Sequence, residues 1–161
     1  MTGEDALGEL GWIRGGLHEP EAQAHRSGES SAERLVRRVH AVADHVADVR
    51  RAVLAFAREH GASSAALPDI ALAVSEACTN VVMHAYVDAA PGPLSVEAYH
   101  EDGELVVIVA DEGRGMAPRP DSPGLGLGLT LIARLADRVE VTDHAPAGTR
   151  LQMTFAVSGA S

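Results

Sequence analysis

The feature that most constrains this chain is the stretch at residues 67–86, which no glycine or proline interrupts after Pro68. Pro68 and Asp69 mark its start, because proline suits the first turn of a helix and a carboxylate there interacts favourably with the helix dipole. At about 100° per residue, its apolar side chains fall on one stripe. The members of this stripe are Ile70, Val74, Ala77, Cys78, Val81 and Ala85. The stretch is therefore predicted to be a helix that packs on a core.

Three polar side chains follow one another on the neighbouring stripe of this predicted helix. Glu76, Asn80 and His84 are spaced at i, i+4 and i+8, a spacing that places side chains on one helix face. The row presents a carboxylate, an amide and an imidazole. Taken alone, such a row is also typical of a solvated helix face, so its meaning depends on the motifs downstream.

Length and composition predict one folded domain with an aliphatic core. A chain of 161 residues is large enough to bury a core. Because aromatic residues make up only 3% of the sequence, that core must consist of Val, Leu, Ile and Ala. Residues 1–31 are rich in Gly, Glu and Ser and show no period of 2 or 3.6. We therefore predict a disordered extension at 1–31 and a folded domain at 32–161.

The charged residues exclude several classes of function. The net charge of −10 argues against nucleic acid as the main partner, since phosphate binding needs a basic face. All 13 basic residues are arginines. The absence of lysine excludes the P-loop and the eukaryotic-type protein kinase, both of which use a lysine on the nucleotide phosphates.

Cysteine content and hydropathy predict a soluble cytoplasmic protein. Cys78 is the only cysteine, so a disulfide within the chain and a Cys-based zinc site are both impossible. Its place on the apolar stripe favours a role as a small buried hydrophobe. The longest apolar run, residues 105–110, is far shorter than the roughly 20 residues that span a bilayer, so no membrane association is expected.

The remaining pattern predicts an α+β fold. Asp44 resembles an N-cap, and Gly61 ends the helix that follows it, whereas residues 33–41 fit either an edge strand or more helix. Asp102-Gly103 is a hairpin signal. The other predicted elements are a helix at 125–136 and strands at 94–99, 105–110, 139–142 and 149–157. This order predicts a two-layer α/β sandwich, with a mostly antiparallel sheet covered on one face by helices.

A second motif, at residues 111–116, reads Asp-Glu-Gly-Arg-Gly-Met and follows a predicted buried strand. A buried aspartate at a strand end can accept a hydrogen bond from an exocyclic amine. The glycines let a flat ligand approach the backbone. Alone, the motif is equally compatible with an ordinary glycine-rich turn.

Two further motifs lie near the C-terminal end of the chain. Residues 124–129 read Gly-Leu-Gly-Leu-Gly-Leu and open a helix, where backbone N–H groups and the helix dipole favour phosphates. Glycines at a helix start also serve tight packing, and this spacing is not the dinucleotide fingerprint. Gly148-Thr149 lies at a predicted hairpin tip, where threonine either binds a ligand or closes the turn.

Together and in this order, the four motifs resemble the nucleotide-binding boxes of the GHKL ATPases, the superfamily of DNA gyrase, heat-shock chaperone ATPases, histidine kinases and mismatch-repair ATPases. The resemblance covers about residues 32–157. Within the superfamily the chain is most similar to the bacterial anti-sigma-factor serine/threonine kinases. Its first box has the Ser-Glu-Ala-x-Thr-Asn…His form typical of them. Only residues 116–123 separate the second box from the third, and no phosphoacceptor helical hairpin precedes the first.

The resemblance implies roles for individual residues. Glu76 would be the general base that takes a proton from an attacking hydroxyl group. Asn80 would be a ligand of Mg²⁺ through its amide oxygen. Asp111 would accept from the adenine amino group, with Thr149 near it. The members of the second box that would adjoin the base and ribose are Gly113, Gly115 and Met116.

The third box and the lid complete the implied nucleotide site. The residues that would hold the phosphates are Gly124, Leu125, Gly126, Leu127 and Gly128. Arg119, in the lid, either reaches a phosphate or is solvated. His84 either steadies the site from the helix face or contacts the core. Three prolines make the lid at 117–123 stiff, which bears on turnover more than on binding.

The function implied by the resemblance is an ATP- and Mg²⁺-dependent serine/threonine protein kinase. Its partners would be an anti-anti-sigma factor, which it phosphorylates, and a sigma factor, which it binds, and the family habit suggests a homodimer. Two alternatives stay open. One is a nucleotide-binding regulator that sequesters a partner without efficient phosphotransfer, and the other is an ATPase subunit whose further domains lie on separate chains.

Overall fold

The computed structural model describes residues 33–114 and 125–157, all within the unit Ala32–Ser161. The predicted extension at 1–31 lies outside the described residues. In chain order the elements are β1 (Arg34–His40), α1 (Ala43–Glu59), α2 (Leu67–Asn80), a π-helical turn (Val81–Ala85), β2 (Pro93–Glu101), β3 (Glu104–Asp111), α3 (Leu125–Leu135), β4 (Arg138–Asp143) and β5 (Thr149–Ala156).

The strands form one five-stranded sheet in the order β1-β2-β3-β5-β4. Every pairing is antiparallel. At the β2–β3 hairpin, Asp102 and Gly103 have φ angles of 50° and 81°, which are the positive values that a two-residue hairpin turn requires. The predicted α+β sandwich with an antiparallel sheet is therefore confirmed.

One face of the sheet packs against the helices. Alternate side chains of the three inner strands are fully buried there, as expected for strands with one face on a core. They are Leu94, Val96, Ala98, Leu105, Val107, Val109, Leu151 and Met153. The predicted apolar stripe of α2 is buried against them. Because α2 contacts α1, α3 and β3, it is the central helix of this layer.

The other face of the sheet carries charged side chains. Arg34 pairs with Glu97 at 2.9 Å, and Arg138 pairs with Glu104 at 2.5 Å. The Arg34 guanidinium also lies 4.9 Å from the centroid of the Tyr99 ring. These pairs are partly exposed, and such pairs contribute only about 0–1 kcal/mol each. The ion pairs therefore add little to stability, whereas the centre of β3 is buried on this face too, at Val106, Ile108 and Ala110.

The structure corrects the predicted start of α1. The helix begins at Ala43, and its N-cap is Val42, which has no side-chain capping bond. Asp44 lies in the first turn instead, where its carboxylate interacts with the helix dipole without capping. The end near Gly61 is as predicted, and Gly61 has a φ of +91°.

The ambiguous segment before α1 is an edge strand, β1, which pairs with β2. Its two half-buried apolar residues, Leu35 and Val39, are four positions apart. That spacing fits one face of a strand as well as one face of a helix. Within the described parts of the chain, no helix combines the length and apolar character needed to cross a membrane.

Candidate active site

The central helix changes geometry directly after Asn80. The α-helix ends at this residue, and Val81–Ala85 form a π-helical turn. Such turns are rare and frequently occur at functional sites. The predicted row of Glu76, Asn80 and His84 assumes α-geometry up to residue 86. The wider turn changes the spacing of side chains beyond Asn80, and His84 lies half-buried within this turn.

Asn80 is a buried polar residue with an incompletely satisfied side chain. Only 6% of it is exposed, and its Nδ2 atom has no hydrogen-bond partner among the described residues. A buried amide without partners carries a free-energy cost of about 1–3 kcal/mol. Glu76 is half-buried one helical turn earlier, on the same face of α2.

The third motif contacts the first motif at Gly128. This glycine is buried in α3, and a Cβ atom at its position would lie within 3.0 Å of the Asn80 amide group. At Gly126, two residues earlier, no atom of the described residues lies within 4 Å of such a Cβ, and Leu127 is 77% exposed. The start of α3 therefore packs on Asn80 at Gly128, whereas no described residue lies beside Gly126 in this way.

Asp111 lies where β3 ends, opposite Leu94 of β2. It is only 1% exposed, and its Oδ1 atom accepts a hydrogen bond of 2.9 Å from the main-chain N–H of Gly113. Strand pairing on one side and this short turn on the other fix the position of the carboxylate. The predicted burial of an aspartate at a strand end is thus observed.

The segment after Asp111 is attached to the end of the central helix. The main-chain N–H of Arg114 donates to the carbonyl oxygen of Ala85 at 2.8 Å, and Arg114 Nε donates to the carbonyl oxygen of His84 at 3.1 Å. A Cβ atom at Gly113 would lie 2.1 Å from the same Ala85 oxygen. Only glycine fits at this position, so the second motif is packed on the first.

The fourth motif packs on the second. Gly148 has a φ of +107°, and a Cβ atom there would lie 2.0 Å from the main-chain oxygen of Asp111. Thr149 begins β5 and is 5% exposed. The described parts of all four motifs therefore form one continuous set of contacts, with the central helix between the third motif and the second.

Several predicted site residues lie outside the described residues. They are Gly115, Met116, Arg119 and Gly124. Leu125 begins α3. In residues 33–114 and 125–157, no three His, Cys, Asp or Glu side chains come together as a metal-binding group.

Burial sets the protonation of two groups beside the site. It raises the pKa of the Cys78 thiol to about 12, so this thiol is neutral and a poor nucleophile. Burial also raises the pKa of the Tyr86 phenol above its usual value. Sequence reasoning assigned no role to Tyr86, although it is the only aromatic residue of the stretch at 67–86.

The architecture and the contacts of the four motifs define a nucleotide-binding domain of the histidine kinase-like ATPase class. A family model described as "Histidine kinase-like ATPase domain" matches residues 39–155. The chain belongs to this family, in the branch that contains the RsbW serine-protein kinases and the anti-sigma F factors. The resemblance found in the sequence is confirmed.

Curated relatives of this chain come from several bacteria. The serine-protein kinase RsbW of Bacillus subtilis is 32% identical over 146 residues, which are 81% of this chain and 90% of that protein. The anti-sigma F factor of Clostridium acetobutylicum is 34% identical over 115 residues, which are 65% of this chain and 80% of that protein.

A solved structure has the same fold. It is the crystal structure of the RsbU and RsbW domains of a Mycobacterium tuberculosis protein, with a TM-score of 0.63 and 25% identity. The match covers 80% of this chain and 34% of that longer chain. The shared part supports the family assignment, and the remaining part of that chain has no counterpart in the match.

Proposed function

We propose that this protein is an ATP-dependent serine/threonine protein kinase and an anti-sigma factor. It phosphorylates an anti-anti-sigma partner and binds a sigma factor. The observation that carries the proposal is the close approach of Gly128 to Asn80, of Gly113 to Ala85 and of Gly148 to Asp111, which together join four short motifs into one site. The names of the relatives, a serine-protein kinase and an anti-sigma factor, support the same function.

The adenine base would be recognised by Asp111. Its carboxylate is buried at the end of β3, and a carboxylate oxygen is a suitable acceptor for an exocyclic amine. Thr149 is buried at the start of β5, on the strand that pairs with β3, and is assigned to the same end of the nucleotide. Gly113 packs directly on the Ala85 carbonyl oxygen, which holds the second motif against the end of the central helix beside them.

The phosphates would lie at the start of α3. Among the described residues, nothing occupies the space where a side chain of residue 126 would lie, and the N–H groups of a first helical turn have no partners within their own helix. A helix N-terminus favours anions for this reason and through its dipole. Leu127 is exposed next to Gly126, so this turn is accessible to a ligand.

Magnesium would be held by Asn80 together with phosphate oxygens and water. Mg²⁺ usually takes few protein ligands and keeps several waters, so one amide oxygen suffices. Asn80 is buried, and its Nδ2 atom has no partner among the described residues, so this donor would be free to bond a phosphate oxygen of the nucleotide while the amide oxygen holds the ion. The ion would neutralise charge on the transferred phosphoryl group.

Glu76 would act as the general base. It lies one turn before Asn80 on the same helix face and is half-buried, so it adjoins the proposed phosphate end of the nucleotide. The hydroxyl oxygen of the partner's serine or threonine attacks the γ-phosphorus, the bond to the β–γ bridging oxygen breaks, and ADP leaves. The hydroxyl proton passes to the Glu76 carboxylate.

We assign the protein to the cytoplasm and expect a homodimer, with neither nucleic acid nor membrane as a partner. The net charge of −10 supports the exclusion of nucleic acid. A protein that binds a sigma factor and draws on ATP works where transcription occurs. Sedimentation equilibrium of the purified chain tests the dimer.

Incubation with γ-labelled ATP, Mg²⁺ and purified candidate anti-anti-sigma proteins tests the kinase assignment. Acid-stable phosphoserine or phosphothreonine on the partner is the expected result. Nucleotide-dependent binding without label would instead support a regulator that sequesters its partner. Release of free phosphate without partner labelling would identify an ATPase subunit that works with other chains.

A further inference from the structure

The half-buried Tyr86 side chain lies close to two glycines at the end of the π-helical turn. A Cβ atom at Gly92 would lie 2.3 Å from Cε1 of its ring, and a Cβ atom at Gly113 would lie 3.0 Å from Cδ1. Real Cβ contacts are not this short, so each glycine allows the backbone to approach the ring. The ring is thus fixed between the loop before β2 and the segment after β3.

The Tyr86 hydroxyl group joins these two segments. It donates a hydrogen bond of 2.6 Å to the carbonyl oxygen of Pro93, where β2 begins. It accepts a hydrogen bond of 2.9 Å from the main-chain N–H of Glu112, the residue that follows Asp111. A phenol can do both at once only while it keeps its proton. Burial raises the pKa of Tyr86, which maintains that state.

The three N–H groups that follow Asp111 all have partners. Glu112 donates to the Tyr86 hydroxyl, Gly113 donates to Asp111 Oδ1, and Arg114 donates to the Ala85 carbonyl. Two of these three partners belong to the end of the central helix. Of the Tyr86 hydroxyl and the Ala85 carbonyl, only the hydroxyl belongs to a side chain, so a substitution can remove it while the backbone stays intact.

We propose that Tyr86 is a positioning residue for nucleotide recognition. Its hydroxyl group fixes the main chain at Glu112, and this keeps the Asp111 carboxylate directed at the adenine amino group. The inference rests on the proposed function, because it takes Asp111 as the residue that recognises adenine. Tyr86 acts through Asp111 and contributes to the choice of base.

Glu112 has a second contact, which its side chain makes. The Glu112 carboxylate pairs with Arg38 of β1 at 2.8 Å, and these side chains are 39% and 57% exposed. Exposed ion pairs contribute little, so Arg38 should matter less than Tyr86. Arg38→Ala is therefore a matched control, since it removes a contact to Glu112 without touching its N–H.

The test compares two nucleotides by titration calorimetry in the presence of Mg²⁺. One is ADP, and the other is purine riboside 5′-diphosphate, which lacks the 6-amino group. In Tyr86→Phe, the affinity for ADP should fall by about 3- to 10-fold, the effect of roughly one hydrogen bond. The affinity for the purine analogue should stay within about 2-fold, and Arg38→Ala should leave both affinities within the same range.

A double-mutant cycle separates positioning from a general structural effect. In the Asp111→Ala background, Tyr86→Phe should cause no further loss of ADP affinity. An equal loss for both nucleotides, or the same loss in that background, would show that Tyr86 only supports the fold. Gly92→Ala, which forces a methyl group against the ring, provides an independent variant and should give the same selective loss.

The outcome for Asp111 alone distinguishes this inference from the proposed function. If Asp111→Ala weakens ADP but not the purine analogue, adenine recognition stands, and the Tyr86 result decides the inference. If Asp111→Ala affects both nucleotides equally, or the unmodified protein binds neither, the adenine assignment fails and the inference fails with it.

Discussion

Gly128 contacts the Asn80 side chain so closely that a Cβ atom on the glycine would lie 2.9 Å from Nδ2 and 3.0 Å from Oδ1. The glycine belongs to the start of α3, and Asn80 is the last residue of α2. The approach of the two helices therefore depends on the absence of a side chain at position 128. Open space at Gly126 provides a comparison within the same helical turn.

We predict that Gly128→Ala and Gly126→Ala have opposite effects on the stability of the protein without nucleotide. Alanine is favoured over glycine in a helix by about 1 kcal/mol, so Gly126→Ala should leave the free energy of unfolding unchanged or raise it. At position 128 the same gain is outweighed by overlap with Asn80, and overpacking typically costs about 1–3 kcal/mol. Urea denaturation of both variants measures the difference.

Equal stability of the two alanine variants would contradict the close contact of α3 with Asn80. Nucleotide binding adds a second comparison. Gly126→Ala, although stable, should weaken Mg-ADP binding if phosphates lie at this turn. Unchanged affinity in this variant would move the phosphates away from the start of α3.

We predict that nucleotide binding depends on Asp111. Replacement by Ala removes the acceptor of the adenine amine, and this should cost about 1–3 kcal/mol, or roughly 5- to 150-fold in affinity. Calorimetry with Mg-ADP measures the change. Glu140→Ala serves as the control, because Glu140 is an exposed carboxylate on the outer strand β4. Equal affinities in these two variants would rule out Asp111 as the adenine acceptor.

We predict that Glu76→Gln separates catalysis from binding. Glutamine is nearly isosteric with glutamate but accepts no proton, so ATP affinity should stay within about 3-fold while phosphotransfer falls by about 10²–10⁴. Nucleotide titration and partner labelling measure the two quantities. A variant that labels its partner at the original rate would exclude Glu76 as the base.

Asn80→Ala should behave differently from Glu76→Gln. It removes a proposed Mg²⁺ ligand, so both the rate of phosphotransfer and the metal-dependent part of ADP affinity should fall. The informative measurement is ADP titration with Mg²⁺ and with EDTA. The affinity advantage that Mg²⁺ gives the unmodified protein should disappear in Asn80→Ala, and its persistence would assign the metal to other ligands.

We predict that the thiol of Cys78 is protected in the folded protein. It is fully buried, and burial raises its pKa to about 12, so the reactive thiolate is scarce at pH 8. Labelling by Ellman's reagent should therefore require opening of α2. Mg-ADP should slow it further, because a ligand of the folded state reduces opening. Rapid labelling of the native protein would contradict the burial of Cys78.

Much of the fold was predictable because its signals are local. The stripe of α2 follows from helical periodicity, and the turn at Asp102-Gly103 follows from the positive φ angles that these residues tolerate. The sequence did not distinguish strand from helix for the segment that forms β1, because its inward apolar residues, Leu35 and Val39, have a spacing that helices share. Its assignment needs the pairing with β2, which periodicity within one segment does not contain.

The site was predictable as a set of motifs but not as a set of contacts. Each glycine could be read from sequence as a backbone feature, yet the contact of Gly148 with the Asp111 carbonyl depends on how distant segments pack. Tyr86 was missed for the same reason, since both of its hydrogen-bond partners are main-chain groups. Nearly every residue offers the same main-chain hydrogen-bonding groups, so such partners cannot be recognised from the residue types in a sequence.

The π-helical turn at Val81–Ala85 places a limit on how the length of this chain can vary. A π-turn closes its hydrogen bonds one residue further along the chain than an α-turn does. Deleting a single residue there would restore regular α-geometry with the residues beyond it at nearly the same angle about the helix axis, whereas inserting one would rotate them by about 100°. After such an insertion the Ala85 carbonyl and the Tyr86 hydroxyl would face away from the segment after Asp111. Natural variants of this chain should therefore tolerate a deletion in the turn far better than an insertion.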